Sequence, residues 1–365
     1  MPSAFFLSFL FAVLSVPDAR PDPAVVAQVA QTRAPVGGSN GYRALYALPH
    51  NDQAVRKTVC PRDTADCLAF ARAHEAAYRA ALPTLQAWDA QVEGLLQYDY
   101  FRPREEQYDA SGVYPPFMPL LAARSLHALR FIDGDTAAAQ RGACRDAVLG
   151  QRLVHSQGLL LGSMAGTALL QRNIELLAQM RAELPPDEPW PALCDELQPL
   201  PPQELALCPL MFGEWLGFRQ PTEKDFAASP PETIDDYITL IFARQMLAQT
   251  LHEKMKACAP EALAAIARDE VWLPAPDILP QHCSPANPYC RLAAVDDGLY
   301  RLYQARLLNV NRYLRALAIL RDPAMPLPAG YRREGGKLLF SRHPNSDKEQ
   351  GMQAVVLPLP GSSTP

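Results

Sequence analysis

Nucleophiles, bases and metal ligands are the residues that do chemistry, and few of them stand at a useful spacing in this sequence. Ser163 lies in Gly162-Ser163-Met164-Ala165-Gly166, but the glycines are offset by one from a nucleophile elbow. The segment also sits in a helical pattern and not at a strand-to-helix turn, so Ser163 reads as a core residue. His74-Glu75 and His252-Glu253 would begin a zinc helix only with a second histidine four residues after the first. Those positions hold Tyr78 and Lys256, which makes both pairs ordinary helix-surface residues. Glycoside chemistry needs two carboxylates some 5 to 9.5 Å apart. The adjacent pairs Glu105/Glu106 and Asp235/Asp236 are better explained by loop solvation and helix capping. On one continuous helix His155 and Glu175 would stand about 30 Å apart, too far to act together. No glycine-rich phosphate loop precedes a helix, and neither a cofactor nor a metal is expected.

The cysteines read as cross-links. There are eight, Cys60, Cys67, Cys144, Cys194, Cys208, Cys258, Cys283 and Cys290. Cys60/Cys67 and Cys283/Cys290 share one spacing, each around a short proline-containing loop, and a bridge is expected within each pair. The remaining cysteines allow three pairings, among which the sequence does not choose.

The stretch most suited to recognition is 98–117, which holds Tyr98, Tyr100, Phe101, Arg102, Tyr108, Tyr114 and Phe117. Tyrosine and arginine join a large apolar body to a polar tip and dominate interface hot spots. These residues are the candidate binding surface; the alternative is that they seal one end of a helical bundle.

The elements that must position these groups are helical. Residues 144–184 follow a helical apolar periodicity, and from 158 to 170 every face is apolar, which predicts a long central helix buried all round. Gly150, Gly158, Gly162 and Gly166 share one row of it, at a cost of about 4 kcal/mol relative to alanine. Close approach of a second backbone would offset that cost. The apolar run is only about 20 Å long, short of the about 30 Å of a membrane core. Further helices are expected at 64–83, 85–98, 119–131, 203–218, 260–269 and 289–320, and one opens at a capping box on Ser229-Pro230-Pro231-Glu232. Residues 330–341 read as a β-hairpin around Glu334-Gly335-Gly336, with a third strand near 353–357.

Size and composition set the outer bounds. The chain has 365 residues, 36 of them proline, and a net charge of −5. Without a basic field or run, a nucleic-acid partner is discounted. Residues 4–16 (AFFLSFLFAVLSV) have the length of a signal-peptide apolar region. If uncleaved, they would be the membrane anchor. Residues 17–39 read as a flexible linker, 40–184 as an N-terminal helical subdomain, 185–202 as a proline-rich linker, 203–322 as a C-terminal helical subdomain and 330–357 as a hairpin tail.

Several features recur together: Asn40-x-Tyr42-x-x-Leu45 after the apolar start, a close cysteine pair, an aromatic and proline-rich loop, a helix carrying Arg124, and Tyr331-Arg332 with Gly335-Gly336 and Leu338-Leu339-Phe340-Ser341. In this order the sequence resembles a group of uncharacterised helical envelope proteins of Gram-negative bacteria. The resemblance implies a periplasm-facing helical protein. The hairpin is also similar to the end of type II secretion pseudopilins, but Asp347 and Glu349 alone cannot supply the six to eight oxygens that calcium takes.

The reading is therefore a mainly α protein, an antiparallel helical bundle or hairpin array around residues 144–184 with a small C-terminal β-hairpin. It is expected to be periplasmic or secreted, or held at the inner membrane by its N-terminus, and to bind an envelope protein or cell-wall partner without catalysis. The rival is a hydrolase or lyase in which His74, His127 or His155 meets carboxylates only in three dimensions.

Overall fold

The structure is a computed structural model that describes residues 23–33, 36–50, 60–61, 64, 66–103, 114–229, 231–272, 287, 297–344 and 351–362. The expected signal segment, Glu105, Glu106, Tyr108, Cys283, Cys290, Asp347 and Glu349 lie outside these residues. The protein is mainly α with a small antiparallel sheet at its C-terminus.

The helices are α1 (Pro23–Thr32), α2 (Tyr42–Leu45), α3 (Cys67–Ala73), α4 (Glu75–Glu93), α5 (Met118–Ile132), α6 (Thr136–His155), α7 (Leu160–Ala182), α8 (Cys208–Ala228), α9 (Ile234–Met255), α10 (Pro260–Ala267) and α11 (Asp297–Arg321). The strands are β1 (Tyr331–Glu334), β2 (Lys337–Arg342) and β3 (Gln353–Pro358). The chain divides into two compact units. One comprises Pro35–Arg102, Tyr114–Leu205 and Ala305–Pro365, the other Met1–Ala34, Pro103–Val113 and Ala206–Gln304.

In the first unit α6 and α7 form the centre, and here the single central helix expected at 144–184 is corrected. Gln157 turns left-handed (φ 45°) and the chain reverses between His155 and Leu160. The result is a helical hairpin, with Gly150 facing Gly166 across it. A Cβ on Gly150 would stand 2.7 Å from the Gly166 carbonyl oxygen, so the glycines do serve close backbone approach, between the two arms of one hairpin. Leu170, Ile174 and Leu177 on α7 are fully buried.

Around this hairpin pack α3, α4 and α5. The helix boundary expected at Pro83 falls instead at His74, and α4 runs through the proline. Pro83 is on the exposed face, where water can take up the carbonyl freed by the missing N–H. The Asp133-Gly134-Asp135 turn joins α5 to α6: Gly134 is left-handed (φ 87°) and Asp135 caps α6 by accepting from the Ala138 amide.

The segment 185–202 is not a free linker. Cys194 is bonded to Cys144, Leu197 and Leu200 are buried, and Asn311 on α11 grips Leu200 by both its amide and its carbonyl, each at 2.7 Å. Asn309 holds His343 in the same way, at 2.8 and 2.9 Å, which ties the sheet to α11. The sheet order is β1-β2-β3, as the alternating pattern predicts. Gly335 and Gly336 both have positive φ (55° and 72°), as a two-residue hairpin turn demands. Leu338, Phe340, Val355 and Leu357 form its buried face, and Phe340 meets Tyr313 edge-on at 5.3 Å.

The second unit contains α1, α8, α9, α10 and the first residues of α11. Its centre is Trp215, fully buried on α8, whose indole N–H donates to the Leu247 carbonyl on α9 at 3.2 Å. Cys208 and Cys258 are bonded, joining the start of α8 to the residues after α9. The cap of α9 is Thr233 with Asp236, not the expected box on Ser229 and Glu232. Residues 23–32, expected to be part of a flexible linker, form α1, and Val29 packs on Cys208 and Cys258.

Candidate functional site

The polar cleft of the first unit, about 380 Å³, is built by α4, α5 and α6. From α4 come Gln86, Asp89, Ala90 and Glu93, and from α6 come Ala138, Arg141, Gly142 and Arg145. Both sets follow three- and four-residue steps, so each helix turns one face to the cleft. Arg130 on α5 and the cap Asp135 complete the wall.

Arg145 is the hub. Its side chain is buried, and its guanidinium donates to Asp146 through Nε (2.7 Å), to Asp89 through Nη2 (2.6 Å) and to Glu93 through Nη1 (3.0 Å). Asp89 takes a second cation, Arg130, at 2.9 Å. Glu93 takes Arg141 at 2.7 Å. Burial would raise the Asp89 carboxyl, but Arg145, with His127 and Arg130, outweighs it and holds the group below the usual carboxylate range. Glu93 follows the same logic: burial raises it, and the bonds from Arg141 and Arg145 bring it below. For Arg145, burial opposes the charge and Asp146 and Asp89 more than restore it.

Behind this layer His127 and Asp146 are wholly buried, and the Nε2–H donates to Asp146 Oδ2 at 2.8 Å. The other ring nitrogen, Nδ1, has no hydrogen-bond partner. It lies 2.5 Å from where a Cβ on Gly142 would stand, so the glycine is the space that the imidazole occupies. Gly142 thus lines the cleft and also makes room for the ring.

Chemically the cleft is a set of fixed, alternating charges. Carboxylates held ionised by arginines are poor proton donors and weak bases at neutral pH. A guanidinium has five N–H donors, and Arg130 and Arg141 each spend part of that set on a single carboxylate. The remainder suits a ligand carboxylate, and Asp135 offers the opposite charge at the rim. Among the described residues no cluster of three or more His, Cys, Asp or Glu side chains fits a metal ion.

The residues singled out in the sequence fall elsewhere. Phe101 and Phe117 are core residues, packed with Tyr42, Leu120 and Leu153, and are not available to a partner. Tyr98 packs edge-on against Phe101 at 6.4 Å. Tyr100 is half-buried and pairs with Asn40 in an isolated bridge. Arg102 donates to the Ser156 carbonyl at 2.5 Å, which ties the loop to the end of α6. Of the described members only Tyr114 is exposed, at 46%. Among the described residues of the stretch, Phe101 and Phe117 thus belong to the core, with Tyr98 packed against it.

Cys60 and Cys67, expected to be bridged, are two buried thiols in this structure. Ser163 is buried, as a core residue should be. His74 stacks on Phe70 at 4.0 Å between ring centroids, and Asp236 serves the α9 cap. The premise that His155 and Glu175 share one helix fails with the α6–α7 hairpin. They still do not meet: His155 bonds Glu204 at 2.5 Å, and Glu175 accepts from the Tyr313 hydroxyl at 2.7 Å.

Sequence reasoning passed over Asp89, Glu93, Arg130, Arg141 and Arg145. The available signal was a pair of acids four apart at 89 and 93 and a pair of arginines four apart at 141 and 145, each pair marking one helix face. The chain matches no family model, no curated protein and no solved structure. Fold and site together define a helical, cystine-linked protein with an ion-paired cleft.

Proposed function

We propose that this chain is an exported, non-catalytic binding protein that takes a zwitterionic peptide of a cell-wall partner into the α4–α5–α6 cleft. The observation that carries the reading is the pairing of Asp89 and Glu93 with arginines, which leaves recognition, not proton transfer, as the work the cleft can do. Cell-wall stem peptides bear both carboxylates and amines, which matches Arg130 and Arg141 beside Asp135. Export is supported by the bridges Cys144–Cys194 and Cys208–Cys258, since disulfides persist in oxidising compartments. The apolar start of the sequence and its resemblance to Gram-negative envelope proteins point the same way. Among the described residues no helix is long and apolar enough to cross a membrane.

The test is co-sedimentation of the pure protein with isolated peptidoglycan sacculi. Retention by the wild type and its loss in Arg141→Glu is the expected result. No retention, or equal retention of the variant, overturns the reading.

The rival hydrolase or lyase has one observation in its favour, the His127–Asp146 pair with its open Nδ1. Against it stands the complete burial of the ring. Release of soluble fragments from sacculi by the wild type, abolished in His127→Gln, would favour that rival.

A further inference from the structure

Two carboxylates of the cleft are each shared by two arginines. Asp89 gives one oxygen to Arg145 at 2.6 Å and the other to Arg130 at 2.9 Å. Glu93 accepts from Arg141 Nη2 through Oε1 at 2.7 Å and from Arg145 Nη1 through Oε2 at 3.0 Å. Arginine presents its N–H donors in a fixed fork that suits a carboxylate, so one oxygen on each guanidinium is also how a ligand carboxylate would sit. Glu93 already occupies that position.

The two acids are not held alike. The Asp89 side chain is 10% exposed and the Glu93 side chain 40%. Glu93 is also the last residue of α4, followed by Gly94 as the C-cap. There the helix dipole works against a carboxylate, so the two arginines are what hold it in place. Release of Glu93 to water strands no buried charge, because Arg145 keeps Asp146 and Asp89. Release of Asp89 would instead take from the buried Arg145 one of its two enclosed partners, a change that is strongly unfavourable.

We propose that Glu93 is a built-in stand-in for the ligand: the free carboxylate of a peptide takes its place between Arg141 and Arg145, and Glu93 moves out to water. This inference rests on the reading of the cleft as a site for a zwitterionic peptide, and it adds which group of the peptide is recognised and what that group displaces. One carboxylate replaces another, so both arginines are paired before and after binding. A peptide amide in that position would bring no charge and would leave the guanidinium donors poorly matched. Because the ligand must first displace Glu93, the protein binds less tightly than the same arginines would without it.

The experiment titrates pure wild-type, Glu93→Gln and Glu93→Ala protein with isolated peptidoglycan sacculi and measures the fraction that co-sediments. Both variants should reach half retention at about three- to fivefold less sacculi, the weight of one partly exposed ion pair. Damage to the fold lowers retention, so a rise is not a by-product of a weakened α4. Glu183→Gln is the control. It removes the same charge and frees Arg72, which Glu183 holds at 2.6 Å outside the cleft, and it should bind as the wild type does. Soluble alanyl-alanine should release the wild type from sacculi, and its C-terminal amide should not.

Wild-type retention with no rise in either Glu93 variant overturns the exchange and leaves the reading of the cleft in place. An equal rise in Glu183→Gln also overturns it, since net charge alone would then drive binding. Release by the amide as readily as by the acid, or by neither, overturns recognition through the carboxylate. No retention of any of these proteins overturns the reading of the cleft itself, and the exchange with it.

Discussion

At the scale of single residues, Arg145 decides how the first unit tolerates its buried acids. Breaking a buried ion pair by removing one partner costs about 3–5 kcal/mol, because the other charge is left stranded. Arg145→Ala removes the buried cation that Asp89 and Asp146 share and leaves them Arg130 and His127, so a loss of about 3 kcal/mol, the low end of that range, is expected from urea unfolding. Arg141, whose side chain is 57% exposed, makes the same kind of bond to Glu93, and Arg141→Ala should cost only about 0–1 kcal/mol.

The pH dependence follows from the same pairing. Asp89 and Glu93 are held below their unfolded values. Their contribution is complete above the unfolded carboxylate range of about 4 and is lost as pH falls through the folded values. In Arg145→Ala the largest charge that opposes burial at Asp89 is gone while His127 and Arg130 remain, so its folded value should move up towards the unfolded one. Acidification from pH 7 towards pH 4 should then cost the variant less stability than it costs the wild type. A urea midpoint that falls in parallel in both proteins would refute this account. None of it was legible from Arg145 alone, whose three partners lie on two helices. The i,i+4 pairs at 89/93 and 141/145 were legible and only lacked a statement of which faces meet.

At the scale of elements, the α6–α7 hairpin shows what periodicity conveys and what it hides. The burial of 144–184 and the use of Gly150 and Gly166 for close approach were both readable, because apolar spacing and missing side chains are local facts. The turn was not. Both arms bury their apolar faces in the same core, so the apolar spacing resumes after the short polar run His155-Ser156-Gln157, which is no longer than a polar step within one helix. The glycines themselves separate the cases. A Cβ on Gly150 meets backbone atoms at 2.7 and 2.8 Å that cannot move without parting the helices. Gly150→Ala should therefore cost about 1–3 kcal/mol as an overpacked contact. A Cβ on Gly162 finds its nearest neighbour, Phe117, at 3.6 Å, an ordinary contact. Gly162→Ala should instead gain up to about 1 kcal/mol of helix propensity. Thermal unfolding of the two variants should move in opposite directions; a common direction would mean that the arms do not meet at Gly150.

At the scale of the whole molecule, the proline-rich stretch 185–202 reads as a boundary by composition, yet it belongs to the first unit. What holds it, Asn311 and Arg321 on α11, lies far along the chain, and no local pattern announces such partners. The cystines were underdetermined for the same reason, and the structure pairs them within units. Cys144–Cys194 lies in the first unit and Cys208–Cys258 in the second, each with a sequence separation of 50. A loop of that length constrains the unfolded chain by roughly 4 kcal/mol. Removing one bridge should therefore loosen the elements it closes. In a Cys208→Ser, Cys258→Ser double variant, amide exchange should accelerate in α8 and α9, where Trp215 and Leu247 lose the cross-link that brackets them. The α6–α7 hairpin keeps the bridge at Cys144 and should hold its protection. Exchange followed by mass spectrometry reads both regions in one sample, and equal acceleration in both would show that the two cystines stabilise one cooperative structure and not two units.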